Sequence, residues 1–123
     1  MSDEKKYYVY ILRCMNDLLY TGITTDVSRR MQEHSGKRPS GAKFTRSHRP
    51  KRLESVWSCT SRSLALKLEA RIKKLTRAKK ERLIESGDLS VTGDTDSSLY
   101  HREYADPTFF DDQPVPDNLQ APP

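Results

Sequence analysis

Two apolar runs separated by a three-residue break constrain this chain more than any other feature. Tyr7–Cys14 (YYVYILRC) is aromatic and β-branched with hardly a polar interruption, the pattern of a central strand covered on both faces. Met15-Asn16-Asp17 carries turn chemistry, and Leu18–Ile23 (LLYTGI) reads as the return strand. Side chains alternate along a strand, so Tyr8 and Tyr10 share one face, as do Leu18, Tyr20 and Gly22. With a loop of three residues, Tyr10 faces Gly22 and Tyr20 lies diagonally beside it. Both phenols then stand on one side of the hairpin, over a position without a side chain, where a ligand can approach closely. Taken singly, either tyrosine is also an ordinary strand former.

The hairpin leads into a helix. Thr25 or Asp26 can cap it, and its apolar stripe runs through Val27, Met31 and His34 before Ser35-Gly36 stops it. Residues 35–50 carry glycine and proline without a helical period and read as a loop. A third strand is expected over Arg52–Cys59. Ser61 or Ser63 then caps a helix with the stripe Leu64, Leu68, Ile72 and Leu75, and Thr76 restarts a short helix ending near Ser86-Gly87.

Charge divides the chain unevenly. Residues 1–85 hold 21 Lys/Arg against 9 Asp/Glu, whereas residues 86–123 hold one Arg against 8 acids. The expected organisation is a basic domain over 1–86 and an acidic, Pro-containing tail over 87–123. The tail's composition does not cover the entropy of ordering and predicts disorder. Its aromatic residues Leu99, Tyr100, Tyr104, Phe109 and Phe110 (with one aliphatic among them) leave a second reading, in which it docks on the domain's own basic face or on a partner. A basic domain of this size points to nucleic acid, because displaced counterions drive binding to a phosphate backbone. No apolar run approaches the ~20 residues of a membrane-spanning helix, and the first residues are too polar for a signal peptide. Cys14 and Cys59 are expected as reduced thiols, and the chain is expected in the cytoplasm.

Certain residues stand out as chemistry. Arg30 lies at the edge of the first helix's stripe, four residues before His34, where a guanidinium requires an anion: a phosphate, or equally a buried carboxylate. His34 on the apolar side is either a satisfied core histidine or a catalytic one. Glu69 is one of two acids among nine Lys/Arg in Arg62–Arg82. It is either an ion pair with Lys73 or the carboxylate anchor of one hydrated Mg²⁺. Between His34 and Leu53 lie Lys37, Arg38, Lys43, Arg46, Arg49, Lys51 and Arg52, with no acid. Gly41 and Phe44 among them give close backbone approach and a base-stacking platform, so this segment reads as a phosphate-contacting loop.

Together these residues resemble the GIY-YIG nuclease superfamily, in particular its small single-domain bacterial members. Tyr8-Val9-Tyr10 and Tyr20-Thr21-Gly22 stand where its two tripeptides would, and the steps to Arg30 and His34 agree. LYTGITTDVSRRMQEH and SLALKLEARIKKLTRAKKERLI are similar to that subgroup, from about Tyr7 to Glu85. Tyr8 replaces the first glycine, and Ile23 follows Gly22 where some relatives carry a lysine.

The resemblance implies an α+β fold, a three-stranded, mostly antiparallel sheet flanked by helices. It also implies one-metal hydrolysis of a phosphodiester, with Mg²⁺ or Mn²⁺ held by Glu69. Tyr10, Tyr20, Arg30 and His34 are the implied catalytic set. Lys37, Arg38, Lys43, Arg46, Arg49 and Lys73 would contact nucleic acid, DNA ahead of RNA. A nearby Mg²⁺ and a cationic surround such as Arg30 would favour the phenolate of Tyr10 as base, with Tyr20 orienting water or phosphate, the reverse remaining open. The Gly41–Thr45 loop, similar to that of junction nucleases, points to branched or flapped DNA. The isoleucine after Gly22 motivates the alternative of a non-catalytic nucleic-acid-binding module.

Overall fold

The computed structural model describes residues 5–36 and 49–111. Its elements are β1 (Tyr7–Cys14), β2 (Leu19–Thr24), α1 (Val27–His34), β3 (Pro50–Cys59), α2 (Arg62–Lys73), α3 (Arg77–Ser86), two 3₁₀ turns (Leu89–Thr92, Ser97–Leu99) and β4 (His101–Glu103). The strands form one antiparallel sheet in the order β2-β1-β3-β4. The fold is therefore α+β as expected, with four strands in place of three.

The hairpin register follows from its turn. Cys14 N–H donates to Leu18 C=O at 2.8 Å and Asp17 N–H to Cys14 C=O at 2.8 Å. Asp17 takes the left-handed conformation, φ 67°, that three-residue hairpin loops require. That turn sets Tyr10 opposite Gly22 and Leu12 opposite Tyr20.

Alternation along β1 then builds two cores. Val9 and Ile11 pack with Trp57 and with Ala65, Leu68 and Ile72 of α2. Tyr10 and Leu12 point the other way, into a cluster with Met31 of α1, Leu53, Val56 and Phe110. Asp26, Ser61 and Thr76 cap the three helices, and Gly87 ends α3 at φ 70°. Arg13, nearly buried, donates to Glu54 of β3, Asp17 of the turn and Glu81 of α3, while Arg77 bonds Asp17 and Glu81. This network fastens α3 to the tip of the hairpin. Cys14 and Cys59 are buried free thiols at opposite ends of the β1–β3 pairing.

The segment expected to be a disordered tail is built into the domain as far as Asp111. β4 pairs with β3, Tyr100 Oη donates to Leu64 C=O at 2.8 Å, and Arg102 Nη2 donates to Ile84 C=O at 2.9 Å. Leu89 and Phe110 are buried, and each such side chain contributes about 1.5–3 kcal/mol. Composition misleads here because the segment needs no core of its own. It adds a few anchors and one short strand to surfaces the domain already supplies. Among the described residues no ion pair links an acid of residues 87–111 to the basic domain.

Candidate active site

β2 forms one rim of the sheet, with α1 over one face and α2 over the other, and Tyr10, Tyr20, Arg30 and His34 lie together on the α1 side. Tyr10 is fully buried, its ring lying across Gly22. The gap left by the glycine is filled by this phenol and not by a ligand. Tyr10 Oη lies 2.7 Å from His34 Nε2, and Arg30 Nε donates to the same oxygen at 3.4 Å. The Tyr20 ring is 6.2 Å from that of Tyr10 and 5.4 Å from that of His34, edge-on to the latter. Tyr20 is only half-buried.

Burial decides the protonation states. It pushes the Tyr10 phenol well above the ordinary tyrosine value, and the opposing pull of Arg30 is smaller. Arg30 alone therefore does not offset the desolvation of the Tyr10 phenol. Burial also lowers His34 to about 4, with the Arg30 charge adding to the effect, so the imidazole is neutral at pH 7. For Arg30, burial opposes the charge, but hydrogen bonds to Tyr10 and Glu33 outweigh it and the guanidinium is permanently cationic. With Arg30 donating to the phenol oxygen, a Tyr10 proton directed at His34 Nε2 satisfies all three groups.

Arg30 is clamped from two sides. Its Nε is held by Tyr10, and its Nη1 donates to Glu33 Oε1 at 2.9 Å. Among the described residues its Nη2 makes no hydrogen bond, which leaves that edge of the guanidinium open for an anion. A cavity of about 320 Å³ lies beside it, lined among others by Ile23, Thr24, Arg29, Arg30, Glu33 and Arg62. Three guanidiniums on one cleft favour phosphate.

Glu69 sits on the flank of α2, with Oε2 3.4 Å from Lys73 Nζ and its side chain 18% exposed. It follows Arg62 by seven residues, about two helical turns, and so lies on the same flank of α2. The buried stripe of α2 packs on the sheet face opposite Tyr10, and Glu69 is not among the residues that line the cleft. Among the described residues no three His, Cys, Asp or Glu side chains cluster as metal ligands. A hydrated Mg²⁺, however, takes one or two protein carboxylates and keeps several waters, and the hard oxygens of Glu69 suit that requirement. Arg49, half-buried, lies by the hairpin turn, its carbonyl accepting from Met15 N–H, and Lys73 is exposed. Lys37, Arg38, Lys43 and Arg46, with Gly41 and Phe44, fall outside the described residues.

Arg62, Arg29 and Glu33 were not singled out from the sequence. Helical spacing carries the signal for two of them: Arg62 is in phase with Glu69, and Glu33 is one turn beyond Arg30. Arg29 is exposed as its position implies, yet it lines the same cleft.

A phenol pair, a clamped arginine and an arginine-lined cleft stand at the rim of a small antiparallel sheet, and residues 6–82 match the GIY-YIG catalytic domain. The chain belongs to the GIY-YIG nuclease family. It is similar to a UPF0213 protein of Fusobacterium nucleatum, 44% identical over 82 residues, spanning 67% of this chain and 80% of that one. A UPF0213 protein of Desulfotalea psychrophila is 40% identical over 104 residues, 85% of this chain and 89% of its own. The solution structure of a UPF0213 protein from Bacillus halodurans is 42% identical, covering 74% of this chain and 97% of that one, with a TM-score of 0.44. No helix among the described residues is long and apolar enough to cross a membrane.

Proposed function

We propose that this protein is a divalent-metal-dependent endonuclease that hydrolyses DNA phosphodiester bonds, with branched or flapped DNA as its substrate. The observation that carries this reading is Arg30, held by Tyr10 and Glu33 and lining one cleft with Arg29 and Arg62. A phosphate seated there would receive hydrogen bonds from Arg30 that strengthen as charge gathers on its oxygens. Tyr10 and Glu33 fix the arginine beforehand, so no reorganisation is needed during reaction. Tyr10 is buried against His34, Arg30 and Tyr20, so its role is to orient Arg30. Tyr20, the half-exposed phenol, orients the attacking water and, after losing its own proton to solvent, takes up the water's proton as a phenolate, the reverse of the first assignment. Glu69 would hold the metal ion, which supplies Lewis-acid stabilisation of the phosphoryl and leaving oxygens when bound.

The test is cleavage of branched, flapped and linear DNA with Mg²⁺ or Mn²⁺. Wild type is expected to cut, and a chelator, Glu69→Ala, Arg30→Ala and Tyr20→Phe are each expected to abolish cutting. Cleavage that survives all four changes belongs to a contaminant. A non-catalytic nucleic-acid-binding module is the second reading, favoured by the apolar Ile23 that lines the cleft. Salt-sensitive binding of the same DNAs without any cleavage would establish it.

A further inference from the structure

A second cavity, of about 300 Å³, lies on the Tyr10 face between the start of α1 and β4, and Thr25 lines both cavities. Its other walls include Tyr8, Asp26, Val56, Glu103 and Tyr104. Its chemistry is opposite to that of the arginine cleft. It holds two carboxylates and no cation, so it disfavours phosphate. Each carboxylate has one oxygen engaged: Asp26 Oδ1 caps α1 by accepting Arg29 N–H at 3.1 Å, and Glu103 Oε2 accepts from Ser58 Oγ at 2.6 Å. Among the described residues Asp26 Oδ2 and Glu103 Oε1 accept no hydrogen bond. Tyr104 is 81% exposed overall, whereas Phe110 of the same segment is buried.

We propose that this cavity receives an unpaired, amino-bearing nucleobase of the nucleotide next to the phosphate in the arginine cleft. The inference rests on the nuclease reading and adds a substrate class to it: single-stranded nucleotides at a flap or branch. Three observations converge on it. A free carboxylate oxygen accepts the exocyclic amine of cytosine or adenine and repels the carbonyl that thymine presents at the equivalent position. Tyrosine rings offer a stacking surface that an unstacked base can use and a paired one cannot. The volume lies at the lower limit of small-molecule pockets, which suits one base and not a duplex. Glu103 and Tyr104 lie beyond residue 82, so this wall is supplied by the C-terminal segment and not by the matched catalytic domain.

The experiment measures binding of the full chain, in EDTA, to a flapped DNA whose first flap nucleotide is dC, dT or abasic. The dC flap is expected to bind about tenfold more tightly than the dT or abasic flap. Glu103→Gln retains a group that can accept from Ser58 but also presents N–H donors, and is expected to erase the dC-over-dT preference. Tyr104→Ala is expected to weaken dC binding by roughly tenfold and leave abasic binding unchanged. Equal affinities for all three flaps overturn the proposal, as does a dC preference untouched by both substitutions. Cleavage assays on the same DNAs separate the two readings. Cutting with equal affinities removes the base pocket alone, and a Glu103-dependent dC preference without cutting removes the nuclease alone.

Discussion

A Cβ at position 22 would stand 2.5 Å from the Tyr10 hydroxyl oxygen and 2.7 Å from its Cζ. The ring has no room to yield, since it is fully buried and its hydroxyl is bonded to His34. Glycine at this position is therefore a steric requirement of the first tyrosine. Gly22→Ala is expected to displace the phenol, at a cost of about 1–3 kcal/mol in urea denaturation, and to reduce DNA cleavage more than tenfold. Wild-type stability with intact cleavage would show that the phenol can slide aside.

His34 links the site to pH. Its pKa is about 4 when folded, against an ordinary value of 6.5, so the unfolded chain binds the extra proton between those limits. Stability must then rise with pH across that window and fall as pH drops from about 6.5 to about 4, by roughly 3 kcal/mol in total. Thermal denaturation at pH 7 and pH 4.5 should show the decline in wild type. His34→Gln should be less stable at pH 7 and flatter with pH. A slope unchanged by that substitution would assign it to another group.

Arg30 and Arg62 should separate into different kinetic classes. Arg30→Lys keeps the charge but cannot bond Tyr10, Glu33 and a phosphate at once, so single-turnover cleavage should fall about a hundredfold or more. Arg62→Ala removes one phosphate contact. It should weaken DNA binding with little change in the cleavage step, and lower the slope of log affinity against log salt by about one. Equal effects of the two substitutions on cleavage would place both guanidiniums on the reacting phosphate.

The C-terminal segment should prove structural. Phe110 is 6% exposed within the cluster of Tyr10, Leu12 and Met31, and Phe110→Ala should cost about 3–5 kcal/mol by denaturant titration. Phe110→Leu should recover most of that. A variant ending at Asp111 should match the full chain in stability, while one ending at Ser86 should be far weaker.

Much of this was legible before any coordinates. Period-two alternation and a three-residue turn are short-range properties, and they placed Tyr10 opposite Gly22. Caps at Asp26, Ser61 and Thr76 are equally local. What sequence could not carry was depth. Tyr10 and Tyr20 occupy similar positions in their tripeptides, yet one is fully buried and the other half-exposed, and only that difference separates their chemistry. Arg62 was passed over because the residues that line the cleft with it come from β2 and α1, far away in the chain. The last strand was missed for a related reason: three residues, His101–Glu103, have no periodicity to read, and their order comes from the ready-made margin of β3.

The sheet ends differently at its two margins. At one, β4 from the same molecule covers part of the backbone of β3; at the other, no described strand lies outside β2. A strand without a partner can pair with another chain. Ile23 and Thr24 of β2 also line the arginine cleft, so a chain pairing at that margin would meet residues of the same cleft.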